Sequence, residues 1–303
     1  MVENANIIKT AGRMNSESQS KSAGWGRCLL FAVAFFVFVG LSEAIGMLLV
    51  DAPFDMKVPL SENQRLIIRI FSVCGLLLQM VVFSRFIDQE PFRVFGFNSR
   101  FSKSEFFYAM VAVLMIFTVG FSSLYVTGQL TIGGINWRND SILQSVLFFL
   151  LVAFEEELLF RGYLLKNLLQ STTEPVALVV SSITFALLHL MNPNIDWIGF
   201  VNLVLAGLFL GIAWLYRRNL WLPVTIHFFW NFIQTHLGFE VSGNPNYSIL
   251  VTAVPSQSIW NGGKFGFEGS IICVVLQLLT VVLFWMLYRK RKASELKFVN
   301  LPQ

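Results

Sequence analysis

Long apolar runs alternate with short polar stretches along this chain. The runs lie at about Cys28–Val50, Leu66–Ile87, Glu105–Val126, Ile142–Leu169, Pro175–Leu190, Trp197–Tyr216, Trp221–Leu237 and Gly269–Tyr288. A bilayer takes about 20 apolar residues of helix to cross, so the pattern predicts an all-α polytopic membrane protein with about eight transmembrane helices. Local signals support the helix starts. Thr173-Glu174-Pro175 offers a cap followed by an N1 proline, and Pro223 falls in a first helical turn, where a missing N–H costs little. The polar, mixed-charge residues before the first run read as a flexible cytosolic tail. They are not a signal peptide, because the run that follows is longer than the 7–15 residues of a signal h-region. The expected organisation is a tail over 1–26, N-terminal helices over 27–137, and a helical core over 138–240. An outer loop over 241–268, a last helix over 269–290 and a basic tail over 291–303 complete it.

Composition agrees. Of 303 residues, 55% are hydrophobic and 13% are charged, against about 25% charged in a soluble domain. The net charge of +4 is not a nucleic-acid signal; its placement is topological. With a cytosolic N-terminus, sixteen Lys and Arg residues fall on the cytosolic side and five opposite, with Arg161 left inside a run. The alternation needs an even number of spans and puts the C-terminus in the cytosol as well. Cys28, Cys74 and Cys273 are isolated in apolar runs and suggest neither a disulfide framework nor a thiolate metal site.

The fourth run contains Glu155-Glu156-Glu157 and Arg161. Each charge at a helix centre costs roughly 2.5–3.5 kcal/mol to insert. Either the helix ends here with its charges at the interface, or a buried polar site exists. Leu164, Leu165, Leu168 and Leu169 continue the apolar run and favour the second reading. Glu157 and Arg161 are one helical turn apart and can pair, while Glu156 is rotated about 100° from Glu157 and can face elsewhere. Few other strong polar groups interrupt the central runs. His189 follows Phe185 by one turn, and His227 and Asn231 share a helix face. From the cytosolic ends of their helices, Glu156 and His189 lie roughly 21–22 Å in, and His227 and Asn231 roughly 9–15 Å. A lone buried His is more often structural, and Asn231 alone could bridge helices. His236 reads as interfacial and Glu155 receives no role. Together, Glu and His supply general acid–base chemistry and an Asn–His pair can donate to an oxyanion.

These residues resemble the CPBP family, the CAAX-protease and bacteriocin-processing intramembrane proteases. Glu156-Glu157-xxx-Arg161, Phe185-xxx-His189 and His227-xxx-Asn231 match its three motifs over about residues 140–240. Gly262-Gly263-Lys264-Phe265-Gly266 and Glu268-Gly269 look like a glycine-rich stretch of bacterial members, and point to a bacterial plasma membrane. Glu268 could equally cap the last helix. The first three runs carry no such motif. The resemblance implies a helical core whose hydrophilic cavity opens to the cytosol, and endopeptidase activity on a peptide or protein presented at the bilayer, lipidated or not. It implies that Glu156 activates water, that His189 positions it, and that His227 and Asn231 stabilise the oxyanion. Glu157, Arg161 and Phe185 would support the site.

Two cofactor schemes stay open. His189, His227 and Glu156 are a His₂Glu donor set for one zinc, as the metalloprotease label of the family suggests; alternatively the same side chains act on water with no metal. Two other functions compete with proteolysis. One is a non-proteolytic adaptor or bacteriocin-immunity protein, and the other a proton-coupled transporter, for which intramembrane Glu, His and Arg are equally expected.

Overall fold

The computed structural model describes the backbone of residues 2–54, 58–97 and 101–299, and the side chains of 24–54, 58–97 and 101–295. The chain is an all-α polytopic membrane protein. Its helices are α1 (Val2–Leu49), α2 (Glu62–Val82), α3 (Lys103–Val126), α4 (Asn139–Glu157), α5 (Lys166–Ser171), α6 (Glu174–Leu188), α7 (Trp197–Arg217), α8 (Trp221–His236) and α9 (Ile271–Val299). A π-helical stretch, Leu158–Leu165, joins α4 to α5 without a break, so these three form a single rod. Each expected run is therefore one helical rod.

Not every rod is long and apolar enough to cross a membrane by itself. Five are, among the described residues: Gly24–Leu49, Glu62–Asp88, Lys103–Val126, Trp197–Arg217 and Ile271–Glu295. All eight expected rods are present, and three of them fall short of that length or composition. The α4–α5 rod is interrupted by Glu155–Glu157, Arg161 and Lys166. Helix α6 has 15 residues and α8 has 16, lengths of only about 22–24 Å against a hydrocarbon core of about 30 Å. Helix α1 also extends through the segment read from sequence as a flexible tail, its helical backbone starting at Val2.

Local chemistry sets several boundaries. Ser61 and Gln64 form a reciprocal capping box at α2, with bonds of 3.2 and 3.0 Å. Asp196 caps α7 by accepting from the Gly199 N–H at 2.8 Å. Arg218, in the left-handed region at φ 53°, ends α7 and turns the chain into α8.

Helix α7 is the central rod. Of its apolar window 61% is buried, against 17% in the first and last spans, which leaves those two facing lipid. It packs on α6, α8 and α9, while α4 lies between α2 and α8. Gly207 and Gly211 of α7 allow the close approach of α6. A Cβ on Gly207 would sit 2.7 Å from the Ser182 Cα, and one on Gly211 2.7 Å from the Leu178 side chain. The spacing is the small-xxx-small pattern of packed membrane helices.

The two ends of the bundle differ. One carries the basic residues in ionic contacts: Arg27 with Asp88 at 3.6 Å, Lys166 with Glu90, Arg217 with Glu105, and Arg218 and Lys292 with Glu174 at 3.4 and 3.0 Å. The opposite end holds the folded connections. There β1 (Thr131–Ile135) pairs antiparallel with β2 (Leu250–Ala253), from Thr131↔Ala253 to Ile135↔Leu250. A tight turn follows, in which Gly262 has φ 78° and a Cβ would lie 1.9 Å from the Gly266 carbonyl oxygen, so only glycine fits. Glu268 does not cap α9. It is buried, accepting from Trp230 Nε1 at 2.9 Å and from the Ser242 N–H and hydroxyl at 2.7 and 2.9 Å.

Candidate active site

The π-helical stretch follows directly on the three glutamates. Such insertions shift the facing of a helix by one residue and recur at functional sites. Here the Phe160 carbonyl accepts from the Ser181 hydroxyl of α6 at 3.4 Å, which ties the wide turn to its neighbour. The three carboxylates then point to three different environments.

Glu155 faces α1 and α2. Its Oε2 accepts from Arg69 Nη1 at 2.7 Å, and its Oε1 from Ser72, whose hydroxyl also lies 2.8 Å from Glu43 Oε1. It anchors the α4–α5 rod to the first two helices. Glu157 faces α7 and α8. With Arg161 it forms the expected pair, Nη1 to Oε1 at 2.7 Å, both side chains fully buried. Arg161 Nη2 also donates to the Gly207 carbonyl at 2.9 Å, and its guanidinium lies 5.0 Å from the Phe185 ring centre. Glu157 Oε1 accepts in turn from His227 Nδ1 at 2.9 Å.

Glu156 faces the cavity. Its Oε2 is 3.8 Å from His189 Nε2 and 3.8 Å from His227 Nε2, and it is buried without a hydrogen-bond partner. His189 is the C-cap residue of α6, and its Nδ1–H donates to the Phe185 carbonyl at 2.8 Å. That bond fixes the tautomer and turns the Nε2 lone pair toward Glu156. The Glu157 bond fixes His227 in the same way, Nδ1 carrying hydrogen and Nε2 facing Glu156. Phe185 is the common spacer, its ring 4.6 Å from that of His189 and 6.2 Å from that of His227. Asn231 is buried one turn after His227 and lines the same cavity of about 570 Å³. The cavity reaches the bundle end that holds the folded connections, with Arg65, Asn192, Asn244 and Asn246 at its rim.

Glu156, His189, His227 and Asn231 are thus brought together, with Glu157, Arg161 and Phe185 beneath them. His236, the last residue of α8, is buried, its Nε2 2.9 Å from the Ser145 hydroxyl of α4. Sequence reasoning missed Glu43, Arg69 and Ser72, which left no local signal, and Gly207, which did leave one in Gly207-xxx-Gly211. Among the described residues, no group of three or more His, Cys, Asp or Glu has an arrangement that holds a metal ion. The Glu156 oxygen is 3.8 Å from each His Nε2, against about 3.3 Å between neighbouring ligands of a tetrahedral zinc with bonds of about 2.0 Å, so the three as placed do not close around one.

The molecule is a multi-pass integral membrane protein with a Glu, two His and an Asn gathered around a cavity inside its helical bundle. Residues 138–233 match the model of the Rce1-like family, the type II CAAX prenyl endopeptidases. Over 99 residues the chain is 33% identical to YpbD, an uncharacterized protein of Bacillus subtilis (strain 168); the stretch is 32% of this chain and 48% of that protein. The chain thus spans about half the length of this curated relative. No solved structure matches it.

Proposed function

We propose that the protein is an intramembrane endopeptidase in which Glu156 activates water. One observation carries this reading: a carboxylate oxygen without a partner, 3.8 Å from each of two imidazole Nε2 atoms, on the wall of a cavity inside the bundle. A water about 2.8 Å from both Glu156 Oε2 and His189 Nε2 is compatible with that separation. Glu156 takes its proton as the oxygen attacks the peptide carbonyl carbon. The resulting oxyanion meets the Asn231 amide N–H, and the His227 Nε2–H when that ring is doubly protonated. As the oxyanion collapses and the C–N bond breaks, the proton held by Glu156 passes to the leaving nitrogen; the acid so formed then gives its own proton to the amine, leaving a carboxylate and an ammonium group. No metal enters any step.

Its substrate is a peptide or protein at the membrane, with or without a lipid. Comparing membrane peptides in cells carrying wild type and Glu156→Gln tests the reading. Peptides that stay uncut only in the variant support it; identical peptide profiles overturn it. Asn231→Ala is expected to lower kcat by about a hundredfold, the usual effect of losing one oxyanion donor, with KM nearly unchanged. A rise in KM alone would assign Asn231 to substrate binding. Hydrolysis is expected to survive exhaustive chelation. Activity that disappears with the chelator and returns with one equivalent of zinc would rule out the metal-free scheme.

A further inference from the structure

One member of the site, His189, stands at a helix end. Helix α6 ends at His189, and the chain leaves the helix there. The cavity continues past His189 to a rim made by Arg65 at the start of α2, Asn192 after α6, and Asn244 and Asn246 of the long connection. Arg65 Nη1 donates to the Pro245 carbonyl at 2.7 Å and to Asn246 Oδ1 at 2.9 Å, and Asn192 Nδ2 donates to the Ser242 carbonyl at 3.1 Å. This rim is therefore a built structure joining the start of α2 and two connections at one end.

That end is poor in basic residues. Among the described residues it carries Arg65, Arg69, Arg138 and Lys264. The opposite end carries Arg27, Arg85, Arg93, Lys103, Lys166, Arg217, Arg218 and the run Arg289-Lys290-Arg291-Lys292. Lys and Arg in short connections are retained in the cytosol, so the basic end is cytosolic and the rim faces away from it. The resemblance to CAAX proteases implies the reverse, a cavity open to the cytosol.

We infer that the active-site cavity opens to the extracytoplasmic face of the membrane and takes its substrate there, as an extracytoplasmic peptide segment lying close to the outer leaflet. The inference rests on the endopeptidase reading for its chemistry, but its geometry stands apart from it. Phe35 and Phe36 of α1 and Phe148 of α4 also line the cavity, which suits a segment that runs from lipid into water. None of the residues lining the cavity belongs to the basic end, so a cytosolic peptide has no comparable route.

Single-cysteine labelling tests the sidedness. Cys28 and Cys273 are buried and Cys74 is exposed, so Cys74→Ser supplies the background. Asn244→Cys places a thiol at the exposed rim and Ser294→Cys one on the exposed basic end. Both are first shown to react in detergent. In intact cells or right-side-out vesicles, a membrane-impermeant maleimide is expected to label Asn244→Cys at once and Ser294→Cys only after permeabilisation. Labelling of Ser294→Cys from outside, or protection of Asn244→Cys until lysis, overturns the inference. Hydrolysis of reporter peptides in detergent, with Glu156→Gln as control, is measured alongside because sidedness cannot affect it. Glu156-dependent hydrolysis with a protected Asn244→Cys would sink the inference and leave the endopeptidase reading intact. An outside-labelled Asn244→Cys without hydrolysis would do the opposite.

Discussion

Glu156→Gln is expected to lower peptide hydrolysis by about three orders of magnitude while the protein inserts and folds as before. The two halves of that expectation have separate physical grounds. Positioned general bases contribute about 10²–10⁴ in rate, and the amide keeps the shape of the carboxylate but cannot take a proton. Stability is expected to hold because Glu156 Oε2 has no hydrogen-bond partner to lose and the nearest nitrogens are 3.8 Å away. The measurement is kcat for a reporter peptide in detergent, beside Tm and elution volume. Hydrolysis at the wild-type rate removes Glu156 from the role of base.

Arg161→Met is expected to cost about 3–5 kcal/mol of stability, the range for breaking a buried ion pair by deleting one partner. The side chain is completely buried and holds both the Glu157 carboxylate and the Gly207 carbonyl. Without it, Glu157 keeps only the His227 N–H as a partner. The double variant Arg161→Met/Glu157→Gln removes the stranded charge and is expected to recover at least half the loss, since deleting both members of a buried pair is far less harmful than deleting one. Thermal unfolding of the four proteins in one detergent closes the cycle. Additive losses would show that the two side chains are not coupled and that Arg161 acts through packing alone.

Much of this molecule is written locally in its sequence. The rods follow from apolar runs, because a chain in lipid must satisfy its backbone hydrogen bonds within each segment. The site residues follow from spacing, since one turn separates Glu157 from Arg161, Phe185 from His189 and His227 from Asn231. What was not legible depends on distant partners. The Leu158–Leu165 π turn is stabilised by what packs on it, including Tyr163 stacked on Phe31 at 3.7 Å. The Arg69–Glu155 pair links positions 86 residues apart and leaves no periodic trace. The shortness of α6 was hidden because Leu190 and Met191 extend its apolar run past the last helical residue.

The brace between Glu155 and the first two helices bears on how the protein can be dissected. The family match begins at residue 138, yet within it Glu155 relies on Arg69 and Ser72, and Lys166 on Glu90, all supplied by earlier parts of the chain. A fragment cut at that boundary would carry an acidic side chain into lipid with nothing to neutralise it. Grafting only the recognised stretch onto another scaffold would transplant the reactive groups and leave their counter-charges behind.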